Sequence, residues 1–378
     1  MAKLKDIGVI ITGNTPKTSD PKNYETTDIP FIKPSNISDD AISYLHNSEF
    51  YISEYAREKS RIVPVDSILF TCIGIIGKIA VNKVECAFNQ QINAIIPDKS
   101  KCLTDYLVYA LQSKKRLLQE TANAPVVPIL NKTQFSEIEI ELPSLEQQEK
   151  ISVQLNKIND LISQRNLQLS KLDELVKSRF IELFGDPETN PKGLKKVLLS
   201  DIAKYYNGLT YVPDNVSEFG TVVLRSSNIQ NSQLDFTDTV RVDCSVKEKL
   251  LVKENDILMC SRNGSARLVG KVALIKNLTE PMSFGAFMMI IRSKYYPYLM
   301  SYFQMDAFRR QIKTGATTTI NQITGNMLNK ISLPLPEMDD INEFAKFVEE
   351  TDKLKFAVQQ ALDKAQLLFD SLMQKYFE

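Results

Sequence analysis

Two stretches free of glycine and proline constrain this 378-residue chain more than anything else in it. The first runs from Leu145 to Phe184, is rich in Gln, Glu, Lys and Leu, and predicts a single long helix. Steps of four and three residues pick out Ile151, Leu155, Ile158, Ile162, Arg165, Leu169, Leu172, Val176, Arg179 and Leu183, a heptad seam. At a rise of ~1.5 Å per residue such a helix reaches about 60 Å, longer than a small domain is wide, and it cannot bury its stripe alone. The second stretch, Met338 to Phe377, carries Phe344, Val348, Val358, Leu362, Ala365, Phe369, Leu372 and Tyr376 at the same spacing. Leu169 and Leu362, Val176 and Phe369, and Leu183 and Tyr376 are all separated by 193 residues, so the two seams share one register. Where the first seam has Arg165 and Arg179, the second has Val358 and Leu372; where the second has Thr351 and Lys355, the first has Ile158 and Ile162. We read these complementary imperfections as a matched pair, with Leu169 and Leu362 meeting in neighbouring layers near the middle. The alternative is two unrelated amphipathic helices, each packed on its own domain.

The rest of the chain has enough apolar residues, 43% in all, for two or three cored domains. Cys72, Cys86, Cys102, Cys244 and Cys260 form no CxxC pair, and the single His46 has no metal-ligand companion at useful spacing. This argues for a reducing cytoplasm and against a zinc site. Lys3, Lys5 and Asp6 stand where a signal peptide needs an apolar core, and no apolar run approaches the ~20 residues of a membrane span. A soluble cytoplasmic protein without membrane contact is expected. The formal charge is zero, but residues 195–337 hold eighteen basic against twelve acidic groups and residues 338–378 five against nine. One basic region beside an acidic helix mildly favours a nucleic-acid partner over a merely solvated face.

Residues 1–144 read as a mixed domain. Strand-like runs at Ile29–Lys33, Ser67–Thr71, Lys78–Val81 and Gln91–Ile96 precede an amphipathic helix at Thr104–Gln119. After the long helix, residues 145–185, Gly185 and Pro187 supply a stop and a turn-rich linker. Residues 186–337 then repeat the opening. Leu199-Ser200-Asp201-Ile202 echoes Leu4-Lys5-Asp6-Ile7, and Ser227-Asn228-Ile229 echoes Ser35-Asn36-Ile37. Gly270-Lys271-Val272-Ala273 echoes Gly77-Lys78-Ile79-Ala80, and Leu335-Pro336 echoes Leu142-Pro143. Asp256-Ile257-Leu258 matches Asp66 to Leu69 with one residue slipped. With residues 338–378 as the second helix, the chain is a tandem duplication of lobe plus helix, of class α+β.

In this combination the chain resembles the specificity subunit, called S or HsdS, of type I restriction-modification systems. The likeness is carried by the two lobe openings and by the Leu142-Pro143-Ser144-Leu145-Glu146-Gln147-Gln148 lead-in to the first helix. The Leu183-Phe184-Gly185-Asp186-Pro187 exit, Asn190-Pro191-Lys192-Gly193 and the two Gly-Lys-(Ile/Val)-Ala strands complete it. The second lead-in departs from the pattern, reading Leu335-Pro336-Glu337-Met338-Asp339-Asp340 without the Gln pair. The resemblance implies two target recognition domains, each reading half of a bipartite double-stranded DNA site, on helices paired as an antiparallel coiled coil that sets the spacer. It also implies two methyltransferase subunits, which carry S-adenosylmethionine and methylate adenine N6, and usually ATP- and Mg-dependent restriction subunits. The chain itself then needs no cofactor.

Base edges are read by Arg or Lys on guanine and by Asn or Gln on adenine, from loops. In the second lobe Arg225, Ser227, Asn228, Ser261, Arg262, Asn263, Arg267 and Lys271 are candidates; in the first, Lys33, Ser35, Asn36, Asn89, Gln90 and Gln91. Ordinary turn chemistry is the competing account, closest to equal weight in the first lobe. The Thr-rich run Thr314–Asn321 is a candidate for phosphates, and Tyr205, Tyr206 and Tyr211 belong either on DNA or in the core. An enzyme is the rival reading. An adenine methyltransferase needs an Asn/Asp-Pro-Pro-aromatic segment and an ATPase a GxxxxGK[ST] loop, and the sequence contains neither. A coiled-coil scaffold is a third reading, weakened by two lobes with cores of their own.

Overall fold

A computed structural model describes residues 1–39, 41–121, 128–313 and 321–377. The chain forms two compact units, residues 1–166 with 359–378, and residues 167–358. The helices Leu145–Phe184 and Met338–Phe377 run over the spans the seams predict, and each is shared between the units.

In the first unit one sheet has the strand order Gly8–Thr12, Ile92–Pro97, Ile68–Thr71, Ile79–Asn82, Ser43–Leu45. A second has Tyr51–Ile52, Ile29–Ile32, Cys86–Phe88, Ile62–Val63, with a parallel pair at its centre. The first sheet is covered on both faces, which explains why its strands are continuous apolar runs without polar alternation. Ile68, Phe70, Ile79, Val81 and Ile95 face the helix Thr104–Thr121. Leu69, Ala80, Ile92 and Ala94 meet Ile32 and Phe88 of the second sheet.

The second unit repeats this arrangement. Its first sheet runs Lys204–Asn207, Met288–Arg292, Ile257–Cys260, Val272–Leu274, and the strand Thr221–Leu224 pairs in parallel with Met282–Phe284. Ile257, Met259, Met289 and Ile291 lie under Tyr298, Leu299 and Tyr302, whereas Leu258, Cys260, Met288 and Ile290 meet Val222, Leu224 and Phe284. Strand pairing corrects one detail of the repeat. Ile68 and Ile257 hold equivalent register positions, against Ile95 and Ile291, so Asp66 corresponds to Asn255 rather than to Asp256. Both Asp66 and Asn255 have positive φ, 64° and 68°, the left-handed turn that Asp and Asn tolerate. Asp256 is buried and gripped by both Nε and Nη2 of Arg292, at 2.7 and 2.6 Å.

Within each unit the helix segments pack antiparallel and feed the sheet-and-helix core. In the first, Leu155 and Ile158 join Phe369 and Phe377, and the Tyr376 hydroxyl donates to Gln154 Oε1 at 2.7 Å. In the second, Phe180 and Phe184 form an aromatic cluster with Tyr298 and Phe344. There Lys355 pairs with Asp173 at 2.7 Å and Arg179 with Glu343. These contacts correct the reading of the shared register: a 193-residue separation relates equivalent positions of the repeat, not facing partners. Arg179 is matched by a carboxylate across the pair, not by Leu372. Leu169 and Leu362 belong to different units, and each is half-buried. Seam positions Ile151, Ile162 and Leu372 are partly buried in the first unit and Val176 in the second; Leu172 and Val358 are half-buried too.

The helix lead-ins explain the missing Gln pair. Gln148 is fully buried; its Oε1 accepts from the Leu103 amide at 2.9 Å, and its Nε2 donates to Lys101 and Pro143 carbonyls. The equivalent position in the second helix is Ile341, fully buried in the aromatic core. One lobe braces its helix by hydrogen bonds and the other by apolar packing.

Candidate nucleic-acid interface

In both lobes a short 3₁₀ turn follows a strand of the second sheet, Ile29–Ile32 or Thr221–Leu224: Pro34–Asn36 and Ser226–Asn228. The Asn side chain closes each turn by accepting from the backbone N–H three residues earlier, Lys33 at 2.9 Å and Arg225 at 2.8 Å. The lysine of each Gly-Lys strand then ties the turn to the sheet, Lys78 Nζ to the Ile37 carbonyl at 3.1 Å and Lys271 Nζ to the Ile229 carbonyl at 2.9 Å. Asn228 is buried, and its Nδ2 also donates to the Asp235 and Asp238 carbonyls. With its amide spent inside the lobe, Asn228 is a brace and not a base-reading group. Lys271 is likewise committed to the fold, and so is Asn89, buried with its amide bonded to Gln91 Oε1 and to the Gln91 N–H. Repetition in the sequence marked Asn228 and Lys271 for their structural role.

What this frame presents is a cluster of loops. In the second lobe the Ser261 and Arg262 amides and the Ser261 hydroxyl all donate to the Phe287 carbonyl, at 2.9, 3.1 and 2.9 Å. The Ile323 amide returns to the Ser261 carbonyl at 2.7 Å, and Asn263 Nδ2 reaches Ser226 Oγ at 3.4 Å. The candidates Arg225, Ser227, Ser261, Arg262 and Asn263 are thus brought to one place. Arg225 is pinned to Asp238 at 2.8 Å, and Ser261 is buried. Arg262 and Arg267 are exposed, the former with its guanidinium 5.5 Å from the centre of the Phe287 ring. Phe287, 59% exposed, was missed by sequence reasoning; the available signal was an aromatic residue after Gly285-Ala286, where a tight turn leaves no room to bury it.

The first lobe uses the same ladder. The Cys72 amide donates to the Gln91 carbonyl and the Leu130 amide to the Cys72 carbonyl, both at 2.8 Å. Exposed Gln90 accepts from the Thr15 hydroxyl at 2.7 Å, Ser35 is exposed, and Lys33 Nζ sits 3.4 Å from the centre of the Phe50 ring. Glycines let the ladder form. A Cβ on Gly13 would lie 2.2 Å from the Asn89 carbonyl oxygen, and one on Gly208 2.0 Å from that of Gly285. Tyr205 packs partly into the helix-side core and Tyr206 against the other face, with Arg292 4.9 Å from its ring centre. Burial pushes the Tyr205 phenol up to about 12. These two tyrosines serve the core. Thr314–Asn321 lies outside the described residues except for Asn321, whose Nδ2 donates to the Gly264 carbonyl at 3.2 Å.

Among the described residues no helix is long and apolar enough to cross a membrane, and no group of three His, Cys, Asp or Glu side chains is placed to hold a metal. Cys72, Cys86, Cys102 and Cys260 are buried, and Cys244 is partly so; all five are free thiols.

Fold and loops together define a duplicated, two-lobed protein that presents a similar loop frame twice with different side chains. The chain belongs to the type I restriction modification DNA specificity domain family, whose model matches residues 1–171 and 191–366. The MjaIX specificity subunit of a type I restriction enzyme from Methanocaldococcus jannaschii is 33% identical over 225 residues, 54% of this chain and 52% of the relative. The HindI specificity subunit from Haemophilus influenzae is 32% identical over 148 residues, 39% of this chain and 32% of the relative. The chain therefore aligns with about half, or less, of the length of these curated relatives. Among solved structures, the S subunit of the type I restriction-modification system from M. genitalium matches with a TM-score of 0.59 at 13% identity, over 100% of this chain and 95% of that one. A structure described as the basis of complex assembly and conformational transition of the type I R-M system matches with a TM-score of 0.53 at 16% identity, over 99% and 96%. At these identities the two structures speak for the fold alone.

Proposed function

We propose that the chain is the DNA sequence-specificity subunit of a type I restriction-modification complex. Each lobe reads one half of a bipartite double-stranded site, and the paired helices set the spacer and dock two methyltransferase subunits. The observation that carries this reading is the twice-used loop frame: a common ladder fixes the backbone, while the exposed side chains differ between lobes. Arg262 and Arg267 of the second lobe, and Lys33, Ser35, Gln90 and Gln91 of the first, are the exposed or partly exposed groups that such reading would use, with Arg225, Ser227 and Asn263 supporting them or meeting phosphates. The chain is non-catalytic by itself. S-adenosylmethionine belongs to the methyltransferase subunits, ATP and Mg to restriction subunits, and the assembly works in the cytoplasm. Two lobes with separate cores make a bare scaffold the poorer account.

The test is to map methylated adenines in cells with and without the gene. A bipartite motif that disappears with the gene is expected. Methyl transfer by the purified chain in the absence of any other subunit would overturn the assignment.

A further inference from the structure

The two lobes can be compared position by position because their hydrogen-bond ladders are the same. Cys72 corresponds to Ser261, since each donates its amide to the carbonyl of the residue just before the strand Ile92–Pro97 or Met288–Arg292, Gln91 or Phe287. The next residues form matching isolated antiparallel bridges, Ile73 with Ile129 and Arg262 with Gln322. Three positions of one frame therefore carry Ile73, Gln91 and Ile129 in the first lobe and Arg262, Phe287 and Gln322 in the second. These six backbones are fixed by equivalent bonds, yet no pair of side chains is alike in chemistry. A packing role for the trio would favour similar residues, but Ile129 and Phe287 are 51% and 59% exposed.

Resting on the specificity reading above, we propose that these three positions form the sequence-determining set of each lobe, and that they read different base pairs. In the second lobe the guanidinium of Arg262 is held over the Phe287 ring, a contact that restricts a long side chain before DNA arrives. A planar fork of donors fits O6 and N7 of guanine, so the second half-site contains a G·C pair at this place. The first lobe offers no cation at any of the three positions. It offers the amide of Gln91, steadied by buried Asn89 at 2.9 Å, and the aliphatic surface of Ile73 and Ile129. An amide suits N6 and N7 of adenine and an aliphatic group suits the thymine methyl, so the first half-site has an A·T pair at the counterpart.

The experiment exchanges the set within the intact complex, using cells that carry the full-length chain and its methyltransferase partner. Arg262→Ile, Phe287→Gln and Gln322→Ile are combined, and methylated adenines are sequenced. The expected result is loss of the G·C requirement at one position of one half-site, with the other half-site and the spacer unchanged. Methylation at wild-type levels on the unaltered motif would overturn the proposal. If the triple exchange abolishes methylation, Arg262→Lys decides. It should relax discrimination at a single base pair by about tenfold, and unchanged discrimination at every pair would overturn the proposal just as surely. Absence of any gene-dependent motif with the wild-type chain is a different failure, because it removes the specificity reading itself.

Discussion

Asn228 is recognisable in the sequence as a turn residue, but its value lies in three bonds that only the folded lobe reveals, to the Arg225 amide and to the carbonyls of Asp235 and Asp238. Asn228→Ala leaves the Arg225 amide and the Asp235 and Asp238 carbonyls, which are only partly shielded from water, without this partner, and should lower stability by about 1–3 kcal/mol, as measured by denaturant unfolding. Arg267→Ala, at an exposed position, should leave stability within about 0.5 kcal/mol while weakening DNA binding by the assembled complex. Gel-shift titration beside the unfolding curves separates the two effects. The difference between these residues marks what a sequence can show of the site. Residue type and turn context flagged both, because Asn, Arg and Gly-rich loops are chemically distinctive. Burial decides between brace and reader, and burial depends on residues distant in the chain. Phe287 escaped for the opposite reason, since an aromatic residue in an apolar run is ordinarily read as core.

The long helices were legible to the residue because nothing in either stretch breaks a helix and the heptad spacing repeats many times. Strands such as Tyr51–Ile52 and Ile62–Val63 were not, because two residues carry no periodicity and their pairing with Ile29–Pro30 and Cys86–Ala87 fixes them from outside. Facing partners on the seam were illegible for a related reason: the sequence reports periodicity, whereas facing depends on chain direction. Burial along the first long helix is uneven, and its most buried position in the second unit, Phe180, lies one residue off the heptad seam. Phe180 is fully buried among Phe184, Tyr298 and Phe344, so Phe180→Ala should cost about 3–5 kcal/mol, against about 1 kcal/mol for half-buried Leu172→Ala. Thermal unfolding of both variants checks the ordering. Asp352 adds a pH signature. Burial raises its carboxyl pKa, opposed by Lys355 and Lys276 and reinforced by Asp173 and Glu349. A carboxyl whose folded pKa lies above its unfolded value carries a penalty that is full at neutral pH and vanishes as pH falls below the unfolded value. Asp352→Asn should therefore stabilise the protein at pH 7, and the gain over the parent should shrink as the pH is lowered towards 4. A gain that stays constant with pH would point to packing instead.

At the scale of the whole molecule, the proposed helix ruler is open to direct test. Four residues inserted near Arg165 lengthen one helix by ~6 Å, close to two base-pair rises. Both half-sites should persist with a spacer longer by about one or two base pairs, allowing for local unwinding and DNA bending. An unchanged spacer in the methylome would assign the distance to the lobes. The division of the chain has a consequence for its biogenesis as well. The first lobe's core contains Phe369 and Phe377, whose rings lie 6.0 Å from Tyr109 and 5.4 Å from Tyr106. Translation delivers those phenylalanines after every residue of the second lobe has left the ribosome. The amino-terminal half of the protein must therefore wait, with part of its aromatic core open, for the carboxy-terminal end to arrive. A nonsense mutation after Val358 should thus harm the domain translated first, and proteolysis of the shortened chain should release peptides from residues 104–121 before any from residues 296–313.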